Sequence, residues 1–389
     1  MMKKGYRLLG EFIRQVDVRN TEGKEENLLG VSVQKQFIPS IANTVGTDFT
    51  KYKVVRKGQF TYIPDTSRRG DKIGIALLED YDEGLVSNVY TVFEVIDENQ
   101  LIPEYLMLWF SRPEFDRYAR FKSHGSVREV MEWDEMCKVE LPVPSIEKQK
   151  SIVKAYKAIT HRIALKKRIN DNLEATAMTI YKSWFIDFEP FQLDDAGLPV
   201  GWKATTLDEK LDTSTQSINP QNIYEDYVWH YSIPAYDNEK LPAKDVPSSI
   251  LSNKYVVPQN AILVSKLNPE TKRVWRTLSC FEDAICSTEF IVFTPKVPSH
   301  NAFYYLMFNT QHFIDFLVSN ATGSTNSRMR VKPTSSLDYE FLCPNDSVIS
   351  DFCTNVEPLL TEIEKNTIEI RKLRELIPIA VAKMMTSSH

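Results

Sequence analysis

Two windows of this sequence combine arginine, lysine and small polar residues with no carboxylate, a composition suited to binding phosphate. RYARFKSHGSVR occupies residues 117–128, and FLVSNATGSTNSRMRVKPTSSL occupies residues 316–337. Arginine can bond guanine bidentately, asparagine can bond adenine in the same way, and hydroxyl groups bond phosphate oxygens. Because the whole chain carries a net charge of -5, two acid-free windows indicate a local DNA-contacting surface. Their candidate DNA-binding residues are Lys122, Ser126, Arg128, Ser324, Thr325, Asn326, Arg328 and Arg330.

A second basic cluster accompanies each window. TSRRGDK covers residues 66–72, and SKLNPETKRVWR covers residues 265–276. These clusters add the candidates Arg68, Arg69, Lys72, Lys266, Lys272, Arg273 and Arg276. The matched segments LLGVSVQKQFIP and VWHYSIPAYDNEKLP add Gln34, Lys35 and Tyr236.

Signals for catalysis are few. The sequence contains no GxxxxGK[ST] phosphate loop, no GxGxxG, no HxxxH and no CxxC, so it predicts neither a bound cofactor nor a metal. Glu270 and Lys272 form a Glu-x-Lys pair of the kind that PD-(D/E)xK nucleases use with Mg²⁺. A self-contained nuclease is therefore kept as an alternative function.

The elements that must position these residues occur twice. VELPVPSIEKQKSIVKAY ends a strand-like run at Pro144 and opens a helix, and YEFLCPNDSVISDFCTNV does so at Pro344, 200 residues later. Ser32 and Ser232 differ by the same 200 residues. Ahead of each helix, runs rich in β-branched and aromatic residues precede a helical segment, as expected for an α+β domain.

Each domain is followed by a helix with one apolar seam of heptad type, which predicts two long helices packed as an antiparallel coiled coil. Polar residues interrupt the seam at Lys166 and Asn170 in the first helix and at Asn366 in the second. Pro358 and Pro378 should kink or break the second helix. About 40 helical residues would span roughly 60 Å and set two DNA-reading loops about one DNA turn apart.

The predicted fold is α+β, with two tandem α+β domains separated by two long α-helices and an internal pseudo-two-fold repeat. The aromatic segment YKSWFIDFEPF marks the end of the first helix, where its rings should pack on the helix or domain surface. The alternative is that they form a docking surface for another subunit. The boundaries are 1–145 for domain 1, 146–188 for the central helix, 189–201 for a linker, 202–345 for domain 2 and 346–389 for the C-terminal helix.

Composition limits the class of protein. A chain of 389 residues with 42% hydrophobic residues can form two packed domains. No apolar run approaches the roughly 18 residues of a membrane span, which favours a soluble, cytoplasmic protein. Five cysteines without CxxC spacing are expected to be reduced thiols.

LPVPSIEKQKSIVKAY, the following HRIALKKRINDNLEATAMTIYKSWFIDFEPF, and the GSTNSR loop before YEFLCP together resemble the DNA-specificity subunits of type I restriction-modification systems. The resemblance covers nearly the whole chain. It implies a non-catalytic, sequence-specific subunit that recognises a bipartite, asymmetric site on double-stranded DNA.

That resemblance also implies the partners. Two modification subunits would bring S-adenosylmethionine and methylate adenine N6, and restriction subunits would hydrolyse ATP and cleave DNA. CPNDSV departs from the acidic, glutamine-containing helix start that SIEKQK retains, so the two helices are expected to hold their partners unevenly. The remaining alternative is a structural adaptor whose helices join proteins without reading DNA.

Overall fold

A computed structural model describes residues 5–40, 46–66, 72–123, 129–277, 281, 283–323 and 328–386, the last four of these without their side chains. The chain forms two compact units. Unit 1 comprises Met1–Ile163 and Arg371–His389, and unit 2 comprises Ala164–Ile370. Each unit therefore contains one α+β domain and parts of both long helices.

In unit 1, strands precede helices along the domain, and a long helix follows. The elements are β1 (Tyr6–Leu8), β2 (Ile13–Val16), β3 (Leu29–Val31), β4 (Phe37–Pro39), β5 (Lys53–Arg56), β6 (Phe60–Tyr62), β7 (Ile75–Leu77), β8 (Glu83–Val86), β9 (Thr91–Val95), α1 (Pro103–Phe110), α2 (Pro113–Lys122), α3 (Trp133–Cys137), β10 (Glu140–Pro142) and α4 (Ile146–Phe185). Short 3-10 turns lie at Leu9–Glu11 and Phe49–Lys51.

A four-stranded antiparallel sheet of order β2-β9-β6-β7 is central to the first domain. Its residues alternate toward α1, so that Phe60 and Phe93 stack at 4.9 Å and both meet Phe110 edge-on. Strand β5 pairs with β8, β3 pairs with β4, and a parallel bridge joins Leu28 to Leu85. Strand β1 pairs with β10, which leads into α4.

The second half of the chain repeats this order. Its elements are β11 (Lys203–Thr206), α5 (Leu207–Lys210), β12 (Leu211–Ser214), β13 (Ser217–Ile218), β14 (Val228–Tyr231), α6 (Ile233–Glu239), β15 (Ala243–Asp245), β16 (Lys254–Val256), β17 (Ile262–Ser265), β18 (Val274–Arg276), β19 (Ile285–Cys286), β20 (Phe290–Pro295), α7 (Asn301–Phe308), α8 (Gln311–Ser319), β21 (Ala321–Thr322), β22 (Arg330–Val331), α9 (Pro333–Leu337), β23 (Glu340–Cys343) and α10 (Asp346–Thr386). Short 3-10 turns lie at Pro220–Asn222, Pro247–Ser249 and Pro298–His300.

The strand connections of the two domains match. The sheet of order β12-β20-β17-β18 reproduces β2-β9-β6-β7, and β11 pairs with β23 as β1 pairs with β10. The sheet of order β13-β16-β19-β14-β15 contains a parallel β14-β19 pair where the first domain has its parallel bridge. The predicted α+β class with an internal repeat is therefore confirmed.

A polar layer joins α4 and α10 within unit 2. Lys166 Nζ lies 2.7 Å from Asn366 Oδ1 and 2.8 Å from Glu369 Oε2. Asn366 Nδ2 donates to Asn170 Oδ1 at 3.0 Å, and Asn170 Nδ2 donates to Thr367 Oγ1 at 3.3 Å. Because the Tyr181 end of α4 meets the early part of α10, these helix segments run antiparallel. The polar seam residues named from the sequence thus contact one another, where they can fix helix register.

Replacing Asn366 by alanine should lower the free energy of unfolding by about 1–3 kcal/mol, because Lys166 and Asn170 then lose their hydrogen bonds with its buried amide. Denaturant unfolding of the full chain measures this change. Asn355→Ala, on the exposed side of α10, is the matched control and should change stability by about 0.5 kcal/mol or less. Equal losses for the two variants would contradict the importance of the polar layer.

Helix α10 runs unbroken through Pro358 and Pro378. The expectation that these prolines break the helix is therefore wrong. A proline inside a helix loses one backbone hydrogen bond and crowds the preceding turn. Here the turns around Pro358 carry Phe352, Val356 and Leu360, which are at most 4% exposed. Their burial holds the helix in place across the proline.

The aromatic segment after α4 packs internally. Phe185 lies 4.7 Å from Phe352 and 4.8 Å from Phe303, measured between ring centroids. Phe188 and Phe191 both meet the ring of Trp202, at 5.6 and 4.9 Å. These rings close the end of α4 against the start of the second domain within unit 2.

An ion pair at equivalent positions attaches a domain to a helix in each unit, with the charges reversed. In unit 1, Lys157 of α4 lies 3.1 Å from both Glu79 and Glu104. In unit 2, Glu357 of α10, 200 residues further on, lies 2.5 Å from Arg276 of β18. The same helix position is therefore cationic in one copy and anionic in the other.

Candidate nucleic-acid interface

Two described segments at the ends of the basic segments of the first domain pair with each other. Asp65 and Val130 form an antiparallel bridge, and Thr66 N donates to Glu129 O at 2.9 Å while Met131 N donates to Pro64 O at 3.0 Å. Residues 64–66 lead into the cluster at 66–72, and residues 129–131 follow the window at 117–128. Two stretches about 60 residues apart in sequence, 64–66 and 129–131, are thus hydrogen-bonded to each other.

The second domain contains the same junction. Leu267 and Arg330 form an antiparallel bridge, Asn268 N donates to Met329 O at 2.9 Å, and Val331 N donates to Lys266 O at 3.0 Å. The cluster at 265–276 and the window at 316–337 therefore meet as their counterparts do. Matching backbone hydrogen bonds identify the two junctions as equivalent sites.

Cations line the junction of the second domain. Arg328 and Lys332 are exposed, and Lys266 is half-buried. Arg330 makes two hydrogen bonds of 3.0 Å with Glu289 but leaves 45% of its side chain exposed. The hydrogen bonds with Glu289 raise the pKa of Arg330. This surface keeps a positive balance and can accept a phosphate.

Two predicted contact residues of this domain are instead held in ion pairs. Arg273 bonds Asp237 through two nitrogens at 2.6 and 2.9 Å, and 14% of its side chain is exposed. Hydrogen bonding to Asp237 raises the pKa of Arg273. Arg276 bonds Asn301 at 2.8 Å and Glu357 at 2.5 Å, which turns its guanidinium toward α7 and α10. In this structure both arginines bind residues of the protein itself.

Two further candidates are buried, which corrects their assignment to the DNA surface. The side chain of Lys35 is 7% exposed, and its Nζ lies 2.8 Å from Asp116 Oδ1 and donates to the carbonyl of Phe110. Burial lowers the pKa of Lys35, and the Asp116 carboxylate opposes that shift. Tyr236 is 9% exposed, and its hydroxyl bonds the backbone of Val274. Neither side chain faces outward.

The other described candidates remain at the surface. Gln34 and Lys72 are exposed, and Lys272 is exposed while its Nζ lies 3.4 Å from the carbonyl of Asn309. Lys122 ends α2 and pairs with Glu135 at 3.3 Å, with 34% of its side chain exposed. Seven candidates lie outside the described residues, namely Arg68, Arg69, Ser126, Arg128, Ser324, Thr325 and Asn326.

Acidic partners are the residues that sequence reasoning missed. Asp116, Asp237 and Glu289 each neutralise a predicted cation, from about 35 to 80 residues away in sequence. Asp116 directly precedes the first acid-free window, which was the one available signal. A window's charge composition shows where cations are, but their partners depend on tertiary structure.

The described residues show no arrangement typical of a nuclease centre. Glu270 and Lys272 lie in the loop between β17 and β18 rather than on adjacent strands. No three His, Cys, Asp or Glu side chains within the described ranges converge as metal ligands would. Within the same ranges, no helix is long and apolar enough to cross a membrane.

Comparison with known proteins gives consistent similarities. Residues 12–175 match the family model of the type I restriction modification DNA specificity domain. The Type I restriction enzyme MjaIX specificity subunit of Methanocaldococcus jannaschii is 22% identical over 309 residues, which are 75% of this chain and 70% of that protein. The HindI specificity subunit of Haemophilus influenzae is 28% identical over 151 residues, 38% of this chain and 32% of that protein.

A solved structure supports the fold over the full length. The type I restriction-modification system S subunit from M. genitalium aligns with a TM-score of 0.56 and 11% sequence identity. The alignment covers 99% of this chain and 96% of that one. At this identity the likeness concerns the fold, and it extends the similarity beyond residue 175.

Proposed function

We propose that this chain is a DNA-specificity subunit of a type I restriction-modification system and that its two domains each read one half of a bipartite, asymmetric DNA site. The recognition domains are residues 1–145 and 202–345. The helices 146–188 and 346–389, with the linker 189–201, form the platform for partner subunits. The chain recognises DNA and leaves the chemistry to those partners.

The observation that carries this proposal is the repeated junction. In each domain one antiparallel ladder pairs described residues in or beside a basic cluster with described residues in or beside an acid-free window, at positions related by about 200 residues. Phosphate contacts position a protein on duplex DNA, and side chains beside them read base edges. Two such junctions in one chain suit a target with two separate parts.

The partners follow from the family. Two modification subunits methylate adenine, and restriction subunits translocate and cleave double-stranded DNA. The complex works in the cytoplasm, where the host DNA is. The net charge of -5 means that much of the electrostatic attraction to DNA comes from local clusters and from the partner subunits.

A charge-removal experiment tests the junction directly. The double variant Arg328→Ala, Lys332→Ala, assembled with its modification subunits, should bind DNA less tightly and with a weaker salt dependence. Each lost phosphate contact removes about 0.9 from the slope of log affinity against log salt, so a reduction of about 1 to 2 is expected. Fluorescence anisotropy at several salt concentrations measures it.

A matched double variant, Lys57→Ala with Lys203→Ala, removes the same charge from exposed positions outside the windows. It should leave the slope nearly unchanged. If both double variants reduce the slope equally, net charge rather than the junction determines binding, and the proposed site is wrong. An assembly that never shifts DNA would favour the adaptor alternative.

A further inference from the structure

In the first domain, one carboxylate lies between the residue that follows the basic cluster at 66–72 and the helix that leads into the window at 117–128. Asp116 of α2 is 8% exposed, and its Oδ1 lies 2.8 Å from Lys35 Nζ and accepts a hydrogen bond of 3.2 Å from Ile73 N. Ile73 follows the cluster at 66–72, and α2 runs into the window at 117–128. The carboxylate therefore links the described end of one window to the helix that carries the other.

Lys35 extends this link to two more elements. It lies in the turn between β3 and β4, at a φ of 63° that non-glycine residues rarely adopt, and its ammonium group donates to the carbonyl of Phe110 at the end of α1. A cation there is favoured by the helix dipole. The same ammonium lies 5.3 Å from the ring centroid of Phe115.

The second domain contains an equivalent link built from different residues. Asp237 of α6, in the segment that corresponds to the β3–β4 turn, bonds Arg273 at 2.6 and 2.9 Å. Arg273 lies 200 residues after Ile73. Lys272 Nζ reaches the carbonyl of Asn309 beyond α7, as Lys35 reaches the end of α1. Turn, helix end and basic cluster are thus tied together in both domains.

We propose that Asp116 and Asp237 are positioning residues for DNA discrimination. Each holds a described residue in or beside the basic cluster of its own domain, Ile73 after residues 66–72 and Arg273 within residues 265–276. Buried ion pairs are weak evidence for stability, because desolvation offsets much of the attraction. A geometric role explains better why each domain sets a carboxylate against its basic cluster, from α2 in the first domain and from α6 in the second. The inference rests on the proposed function, since it concerns how each half of the site is read.

The test compares Asp116→Ala with Asp237→Ala in the complete methyltransferase assembly. For each variant, kcat/KM for methylation is measured on the cognate DNA and on DNA substituted in one half-site or the other. We expect each variant to lose about tenfold or more of its discrimination at one half, and the two variants to affect opposite halves. Each variant is thereby the control for the other.

Other variants separate positioning from folding. Asp116→Asn keeps an oxygen for the Ile73 amide and should retain most discrimination. The double variant Lys35→Met, Asp116→Ala removes the Lys35 charge that Asp116→Ala alone leaves unpaired, and it should still lack discrimination. Amide hydrogen exchange should show Ile73 exchanging faster in Asp116→Ala than in the wild type. This readout requires no DNA.

Three results would overturn the inference: unchanged discrimination in both alanine variants, equal losses at both halves, or unchanged exchange at Ile73. Restoration of discrimination by Lys35→Met with Asp116→Ala would also overturn it, because charge burial alone would then explain the defect. A wild-type assembly that ignores substitutions in both halves would instead contradict the proposed function.

Discussion

Phe352→Ala is expected to lower the free energy of unfolding of the chain by about 3–5 kcal/mol. Phe352 is fully buried in unit 2, with ring centroids of Tyr181, Trp184 and Phe185 between 4.7 and 5.9 Å away. Removing the ring leaves a cavity between α4 and α10 that rigid aromatic neighbours cannot fill. Denaturant unfolding followed by tryptophan fluorescence measures the loss and reports on Trp184 itself.

Phe121→Ala provides the matched control, because the same atoms are removed from a side chain that is 78% exposed. A change of about 0.5 kcal/mol or less is expected. If the two variants lose similar stability, the aromatic cluster does not hold the helix pair. The cluster would then be available as a docking surface instead.

Replacing residues 202–345 by the corresponding segment of a family relative should change one half of the methylated sequence and leave the other half unchanged. The physical reason is that each domain has its own sheets, core and junction. Specific sites are typically bound about 10³-fold or more tightly than non-specific DNA, so recognition of the original half should fall by roughly that factor. Sequencing of methylated adenines in DNA treated with the assembled methyltransferase reveals the change.

The reciprocal exchange of residues 1–145 should alter the opposite half. Together the two chimeras test whether the halves are read independently. A chimera in which both halves change would show that the domains read DNA jointly. That result would remove only the independent-domain model.

The sequence was most informative where structure repeats. Pro144 and Pro344, and the strand-like runs before them, led to the duplicated domain because period-two and heptad patterns are local. Lys166, Asn170 and Asn366 were identified as seam residues for the same reason, since heptad position can be counted along a helix.

Prediction was weaker where an outcome depends on residues distant in sequence. Lys35, Arg273 and Arg276 are cations in segments that favour DNA contact. Each forms an ion pair with a carboxylate distant in sequence, namely Asp116, Asp237 and Glu357 respectively. Tyr236 is amphipathic, and only tertiary packing decides that its hydroxyl meets Val274. Likewise, the cost of Pro358 inside a helix can be weighed only once the burial of the adjacent turns is known.

The reversed charges of Lys157 and Glu357 make the two domain positions electrostatically unequal. A first-position domain moved to the second position would place the counterparts of Glu79 and Glu104 against Glu357, and a second-position domain moved the other way would set Arg276 against Lys157. Repulsion penalises both transplants. A domain that keeps its own position in the chain therefore keeps a complementary charge on the helix that follows it.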